Sequence, residues 1–350
     1  MTVKELIERV RAEMGENVSE NLEKITAMTQ EIKREENAPE LLEALAQFAF
    51  EMVPPDVQKQ MQETTFVNGK RMDQAFGEAA ALVSADKCGE ALPILEAISD
   101  KIAQHFEEEP RKWYSFRNPF EYHMFREFYP EETGYDRAPF DFAHYLELYA
   151  YALMDAGRTR DAEAAVKRAI SFNPVSAEMH FELSEICKFT KNLPDLLKNC
   201  QEISRICTTP DRMARVCNDM GYFCQETGDF QSAATFYFES MRLNPVSTTE
   251  AELTDVVRRI NASGQRFAPP TDEQVAAVFR RNHLIRYPNE ELVRLALALK
   301  NQAQNYKRLD LEGLFTRVAF DLTNDPELKA DLDRIDREFA AANGQNGSAQ

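Results

Sequence analysis

The 350-residue sequence predicts an all-α protein in which helix-turn-helix hairpins stack into an α-solenoid. Apolar residues recur at helical spacing along most of the chain, and no segment shows the alternation typical of a strand. Pro, Gly and Asn divide the chain into pieces of helix length. Two of these pieces share their length and their pattern of small and bulky residues, which indicates an internal repeat.

The repeat is clearest in residues 155–174 and 226–245. Each segment has a Gly turn, a small residue five positions later, a bulky core residue and a closing Asn-Pro. The helices that precede them carry matching residues, namely Leu146, Tyr149, Ala150 and Leu153 in one and Cys217, Met220, Gly221 and Cys224 in the other. The spacing of the two copies predicts a degenerate copy at 177–211, in which Asn192-Leu193-Pro194 replaces the Gly turn.

These segments resemble the tetratricopeptide repeat, a 34-residue helix-turn-helix in which small residues let paired helices approach closely. The matching positions are Ala150, Ala162, Ala169 and Pro174 in the first copy and Gly221, Ala233 and Pro245 in the last, while Ser240 stands where the family usually has Ala. The resemblance covers 143–247 and implies a right-handed superhelix. The chain is also similar to bacterial repeat proteins of unassigned function that carry a WYSFRNPFEYHMF-like segment ahead of the repeats, which implies no activity.

The remaining segments are predicted to flank this array. Residues 1–66 predict an N-terminal helical cap with helices at 2–16, 19–36, 38–52 and 55–65. Residues 67–142 predict a degenerate hairpin at 72–106 and an aromatic-rich linker. Residues 248–342 predict further helices that continue the up-down alternation, near 248–263, 271–286, 288–305, 308–323 and 325–341. Residues 343–350 lack an apolar period and predict a disordered tail.

The resemblance implies that the first helix of each hairpin forms a concave groove for a protein or peptide. The groove candidates by this carry-over are His144, Glu147, Tyr151, Met154, Asp155, Glu178, Phe181, Glu182, Glu185, Lys188, Arg215, Asn218, Asp219, Tyr222 and Gln225. Their acidic residues outnumber their basic residues by six to two. Complementary charge therefore favours a basic or amphipathic segment as the ligand. The alternative is that these carboxylates only keep the surface soluble.

A second candidate surface has the opposite charge. Residues 255–308 contain ten Lys and Arg and five Asp and Glu. The candidates are Arg258, Arg259, Arg280, Arg281 and Arg286. They could bind RNA as part of a nucleic-acid-associated adaptor, or they could contact the chain's own acidic half or a second subunit in a homo-oligomer.

Composition and motifs restrict the function further. With 41 Lys and Arg against 59 Asp and Glu, the net charge of −18 disfavours nucleic acid and anionic lipid as general partners. The amino terminus lacks the apolar core of a signal peptide and no segment reaches membrane-spanning length, so we expect a cytoplasmic protein without membrane contact. None of the motifs G-x-x-x-x-G-K-[ST], G-x-G-x-x-G, G-x-S-x-G and H-E-x-x-H occurs. We therefore expect neither catalysis nor a cofactor, with an unrecognised helical enzyme as the remaining alternative.

Cysteine and aromatic residues are concentrated in two places. Five of the six cysteines lie between Cys187 and Cys224 without a C-x-x-C pair, which favours reduced thiols in a core over a metal site. The stretch from Trp113 to Tyr151 holds 14 of the 35 aromatic residues. These rings either pack internally, joining the linker to the array, or line a pocket for a peptide.

Overall fold

The computed structural model describes residues 1–15, 18–32, 35, 37–107, 110–245 and 247–346. Within these residues the chain forms eighteen helices and four strands of two residues each, so the predicted all-α class is confirmed. The chain divides into two compact units, Met1–Glu78 and Ala79–Gln350. The division falls inside helix α5 (Met72–Ser84), beyond the end of the predicted cap at residue 66.

The first unit contains a small helical core. Its elements are α1 (Val3–Glu13), α2 (Val18–Ile32), α3 (Ala38–Met52), α4 (Pro55–Thr65), β1 (Phe66–Val67) and β2 (Lys70–Arg71). Helices α1, α2 and α3 bury one apolar face each, through Leu6, Val10, Ile25, Met28, Ile32, Leu41 and Leu45. Thr2 begins α1 with a capping box, in which its hydroxyl accepts from the backbone N–H of Glu5.

Strands β1 and β2 form a short antiparallel hairpin, which the periodicity of the sequence did not predict. The two residues between them, Asn68 and Gly69, have φ values of 52° and 80°. An Asn-Gly pair adopts such left-handed conformations readily and is a strong signal for a two-residue hairpin loop. The signal was missed because each strand is too short to show alternation.

The second unit contains the predicted array of hairpins. Its first elements are α6 (Cys88–Phe106), β3 (Trp113–Tyr114), α7 (Pro119–Phe128), β4 (Asp136–Arg137), α8 (Phe142–Asp155), α9 (Thr159–Phe172), α10 (Ala177–Thr190), α11 (Leu193–Ile206), α12 (Pro210–Glu226) and α13 (Phe230–Leu243). Helices α8 and α9, α10 and α11, and α12 and α13 pack as three hairpins, and each hairpin packs on the next. Strands β3 and β4 pair in parallel on either side of α7.

Left-handed residues make the turn within each hairpin. Gly157 and Gly228 have φ values of 73° and 85° in the first and third hairpins. In the degenerate second hairpin, Lys191 takes this role with φ at 58°, and its backbone N–H bonds to the carbonyl of Cys187. The left-handed turn therefore forms even without a glycine. The side chain of the residue that replaces glycine adds strain to this conformation.

The C-terminal helices are α14 (Ser247–Ala262), α15 (Asp272–Arg281), α16 (Glu290–Asn305), α17 (Leu309–Thr323) and α18 (Pro326–Asn346). Both α14 and α15 pack on α13, whereas α16 and α17 contact α7. The C-terminal part therefore returns to the aromatic segment instead of only extending the array. Helix α18 continues through Asn346, four residues into the predicted disordered tail, and residues 347–350 lie outside the described residues.

Most of the aromatic segment packs inside the second unit. The rings of Tyr114 and Phe125 have centroids 4.5 Å apart, and those of Phe120 and Phe315 lie 6.3 Å apart across α7 and α17. These contacts support the internal-packing interpretation for this part of the segment, with Tyr151 as an exception discussed below. All six cysteines are free and buried, as the core interpretation predicted.

Candidate functional site

Helices α8 and α10 present matching stripes of side chains to a shared pocket. The stripes are Glu147, Ala150, Tyr151 and Met154 on α8 and Glu182, Glu185, Ile186 and Phe189 on α10. Both follow the i, i+3, i+4, i+7 spacing that places residues on one helix face. With Val166 of α9 they enclose a pocket of ≈ 300 Å³. Two consecutive hairpins thus bring stripes of the same spacing to one site, with the α10 stripe lying one residue beyond the 34-residue repeat register.

The pocket has an apolar floor and an aromatic rim. Ala150, Val166 and Ile186 are buried and form its inner wall. Tyr151 and Phe189 stand at its mouth with 57% and 71% of their surface exposed. Such exposure is unusual for two large rings that share one pocket, and it leaves apolar area for a ligand to cover.

Arg117 occupies one end of the groove and neutralises Glu147. Its Nη2 donates to Oε2 of Glu147 at 2.7 Å, and Nδ1 of His144 lies 3.0 Å from the same oxygen. Burial alone raises the pKa of Glu147, but His144 and Arg117 outweigh it and the pKa lies below its ordinary value. The backbone N–H of Arg117 donates to Glu121 of α7 at 2.8 Å, which holds the arginine in place.

Lys188 joins two carboxylates at the other end of the groove. Its ammonium donates to Glu185 at 2.8 Å and to Asp219 of α12 at 2.7 Å. Asp219 is almost fully buried, and burial raises its pKa although Lys188 opposes the shift. Arg215 also donates to Glu185, at 3.2 Å, while its guanidinium lies 4.3 Å from the ring centre of Phe181. The pKa of Glu185 is lowered, because these two cations outweigh its burial.

Glu182 differs from the other carboxylates of the groove. Glu178 pairs with Arg212, whereas Glu182 forms no ion pair or hydrogen bond with any residue that the structure describes. It is partly buried in the pocket wall. Burial raises its pKa, the charge of Arg215 opposes the shift, and the neighbouring Glu147 and Glu185 add to it. The groove therefore contains one partly desolvated carboxylate without a direct cation.

The other predicted groove residues are used within the fold. Phe181 is buried beneath Arg215. Asn218 accepts from the hydroxyl of Thr249 at 3.0 Å. The hydroxyl of Tyr222 donates to the carbonyl of Lys188 at 3.4 Å. Asp155 is exposed at the end of α8 and does not line the pocket.

Besides the buried residues of the pocket floor, three side chains of the groove were not predicted from the sequence. Phe189 lies 34 residues after Asp155, so applying the repeat register to Asp155, itself a groove candidate, would have found it. Arg212 lies in the first turn of α12, and only the position of its partner Glu178 on α10 shows that it belongs to the groove. Arg117 comes from the non-repetitive segment before α7, and no pattern in the sequence predicts where it lies.

The predicted basic surface is largely paired within the second unit. Arg258 and Arg259 bind Asp255, and Arg281 binds Asp229 on α13 at 3.0 Å. Arg286 binds Asp272 at 2.6 Å and lies 3.5 Å from the buried Glu239. Arg280 is exposed and has no ion pair with a described residue. Four of the five arginines thus pair with carboxylates of the second unit, and two of these carboxylates, Asp255 and Asp272, lie within the basic segment itself.

A larger cavity of ≈ 540 Å³ lies beside the N-terminus of α16. It is lined by Arg205, Ile285, Arg286, Tyr287, Pro288, Asn289, Glu290 and Glu291. Its two arginines are already held by carboxylates, Arg205 by Glu202 and Arg286 by Asp272. Neither arginine therefore offers an uncompensated positive charge to a ligand.

Two searches of the described residues bear on metal and membrane contacts. They contain no group of three or more His, Cys, Asp or Glu side chains placed to hold a metal ion. None of their helices combines the length and the apolar character needed to cross a bilayer.

Comparison with known proteins gives likenesses among solved structures only. No family model matches the chain, and no curated protein matches it. Among solved structures the chain is similar to the protein described in "Functional Characterization of Pseudomonas Aeruginosa pilF", at 12% sequence identity and a TM-score of 0.39. The match covers 75% of this chain and 96% of that chain. At this identity and score the likeness carries no statement about ligand or activity.

Proposed function

We propose that the protein is a non-catalytic interaction module that binds a basic or amphipathic segment of a partner protein along α8, α10 and α12. The observation that supports this proposal is the unpaired Glu182 in the pocket between exposed Tyr151 and Phe189. A cationic side chain is the chemistry that such a carboxylate lacks.

The ion pairs on either side of Glu182 favour this ligand. Arg117 neutralises Glu147, and Lys188 and Arg215 neutralise Glu185. The chain thus supplies its own cations at both ends of the groove and none at Glu182. A ligand cation placed there pairs with the remaining carboxylate. This pairing gains more free energy than one at an open surface, because the carboxylate is already partly desolvated.

The rings at the pocket mouth favour a ligand with apolar residues as well. Tyr151 and Phe189 offer large, rigid contact area at low cost in side-chain entropy. An amphipathic basic segment covers these rings while its cation reaches Glu182. We place this interaction in the cytoplasm, in keeping with six unpaired thiols. The internal pairing of the basic surface gives no support to nucleic acid as the ligand.

Fluorescence anisotropy with a panel of labelled amphipathic peptides tests the proposal. The panel contains lysine-rich peptides and copies of them in which every lysine is replaced by glutamate. We expect the lysine-rich peptides to bind at low salt, and Glu182→Lys to weaken that binding by about ten-fold, which corresponds to about 1.4 kcal/mol.

Glu127→Lys is the matched control, since Glu127 is an exposed carboxylate on α7 outside the pocket lining. It makes the same change in net charge and should leave the affinity within about two-fold. Equal weakening by both variants would show a general charge effect and contradict the proposal. So would the absence of binding by every lysine-rich peptide at low salt.

A further inference from the structure

The pocket between α8 and α10 has the features of a subsite for one side chain. We infer that it binds a single lysine side chain of the partner segment, with the ammonium on Glu182 and the aliphatic stem between Tyr151 and Phe189. This inference rests on the proposed function and adds to it the identity of the ligand's anchor residue.

The apolar inner wall of the pocket suits a long aliphatic stem. Its inner wall is formed by Ala150, Val166 and Ile186, all of which are buried and apolar. Tyr151 and Phe189 stand on different helices, line the same space and are largely exposed. Four methylene groups lying in this space exchange water for apolar contact along their whole length.

Two of the three carboxylates around the pocket already bind cations of the chain. Oε2 of Glu147 already accepts from Arg117 at 2.7 Å, and Oε1 of Glu185 accepts from Lys188 at 2.8 Å. Glu182 forms no such bond to a described residue, and Arg215 influences it only at longer range. The incoming cation is therefore directed to Glu182.

The polar capacity of the pocket favours an ammonium over a guanidinium. A guanidinium carries five N–H donors in a fixed plane, of which one carboxylate accepts two. The remaining donors would face apolar walls or carboxylates that already have partners, at the cost of unsatisfied hydrogen bonds. An ammonium has three donors on a point charge and can turn them toward Glu182 and the solvent at the mouth.

Exposed aromatic rings add attraction for the same cation. The chain shows this preference at neighbouring sites, where Lys191 lies 5.4 Å from the ring centre of Tyr222 and Arg215 lies 4.3 Å from that of Phe181. Tyr151 and Phe189 have no cation over their faces within the described residues. A lysine that passes between them supplies one.

Methyl NMR of the full chain, labelled at Ile and Met, tests the inference with three small probes. The probes are the N-acetyl, C-methylamide derivatives of lysine, arginine and norleucine. We expect the lysine derivative to shift the methyl signals of Ile186 and Met154 saturably, and the norleucine derivative, which lacks the charge, to shift them at least ten-fold less at the same concentration. We expect the arginine derivative to bind more weakly than lysine.

Substitutions separate the contribution of the aromatic side chain from that of the carboxylate. Glu182→Gln should remove the lysine effect, and Tyr151→Ala should weaken it several-fold. Tyr306→Ala, which removes a more exposed ring elsewhere, should leave it unchanged. Tighter binding of arginine, equal shifts with norleucine, or no shift with lysine would overturn the inference. If the lysine-rich peptides still bind and respond to Glu182→Lys in that case, the proposed function stands without the lysine subsite; if they do not, both fail.

Discussion

At the scale of single side chains, the groove depends on where the chain places its own cations. Arg117 reaches Glu147 from the segment before α7, and Lys188 links Glu185 to Asp219. Glu182 lies between these pairs and keeps a raised pKa because it is buried without a direct partner. Ligand binding by this groove is therefore expected to depend on pH as well as on salt concentration.

We expect the affinity for a lysine-rich peptide to fall as the pH is lowered. Burial, together with Glu147 and Glu185, raises the pKa of free Glu182, while Arg215 opposes the shift. A bound ammonium favours the carboxylate and lowers that pKa, so the complex holds fewer protons than the free protein. Affinity then rises with pH between the two pKa values and is lost below the lower one. Anisotropy titrations at several pH values measure this slope, and Glu182→Gln should flatten it; an unchanged slope would assign the effect to another group.

Arg117→Gln should increase the affinity for the same peptides. The substitution removes the cation of Arg117 from Glu147 and leaves His144 as the neighbour of this second carboxylate of the pocket. We expect a gain of a few-fold, in line with one additional partly exposed ion pair. The same titrations report the result, with a thermal melt to confirm folding. A loss of affinity in the folded variant would mean that Arg117 itself contacts the ligand.

At the scale of secondary-structure elements, close helix approach explains the small residues of the repeat. Ala162, Ala169 and Ala233 are fully buried between helices. Gly221 on α12 is the tightest case, because a Cβ atom there would lie 2.5 Å from Cε1 of Tyr237 on α13. The ring cannot withdraw easily, since it is itself buried.

Gly221→Ala should therefore destabilise the second unit by about 1–3 kcal/mol, the usual cost of overpacking. Gly89→Ala is the control, because a Cβ atom at Gly89 in α6 meets no atom within 4 Å. It should be neutral or slightly stabilising, as alanine favours helix over glycine. Urea unfolding of both variants measures the difference. Equal stability of the two would show that Tyr237 moves aside freely.

The elements also show how far sequence could predict this fold. The three hairpins follow from Gly157, Gly228 and the buried alanines, since repeated spacing identifies helix faces directly. The spacing within each groove stripe on α8 and α10 follows from helix geometry, although the α10 stripe lies one residue beyond the repeat register. The pairing of Arg117 with Glu147 does not, because it joins a non-repetitive segment to the array across 30 residues. The short sheets escaped prediction because two residues cannot show a period.

At the scale of the whole molecule, the chain has two cores of very different size. In the first unit, the described core shared by α1, α2 and α3 holds seven buried apolar residues. The second unit holds the array, the aromatic segment and the C-terminal helices. Small cores are marginally stable, so the first unit should open at lower free energy than the second.

Leu41→Ala should raise hydrogen exchange in α1, α2 and α3 and leave α8 through α13 unchanged. Leu41 is fully buried in the first core, and its truncation should cost about 2–5 kcal/mol there. Leu292→Ala makes the same change at a fully buried position of α16 and should show the opposite pattern. Exchange detected by mass spectrometry separates the two. A uniform rise across the chain in either variant would show that both units unfold as one.

Because every cysteine is buried, the reaction of its thiol with a reagent reports how often the surrounding structure opens. Burial raises the pKa of the Cys187 thiol to about 11 and those of Cys207 and Cys224 to about 12, so almost none of these thiols is ionised at neutral pH. An alkylating reagent reacts with thiolates, and here it must wait until a helix moves away. The rate of alkylation at each cysteine therefore measures how often the helix that carries it opens. A ligand that binds both α8 and α10 will slow alkylation first at Cys187.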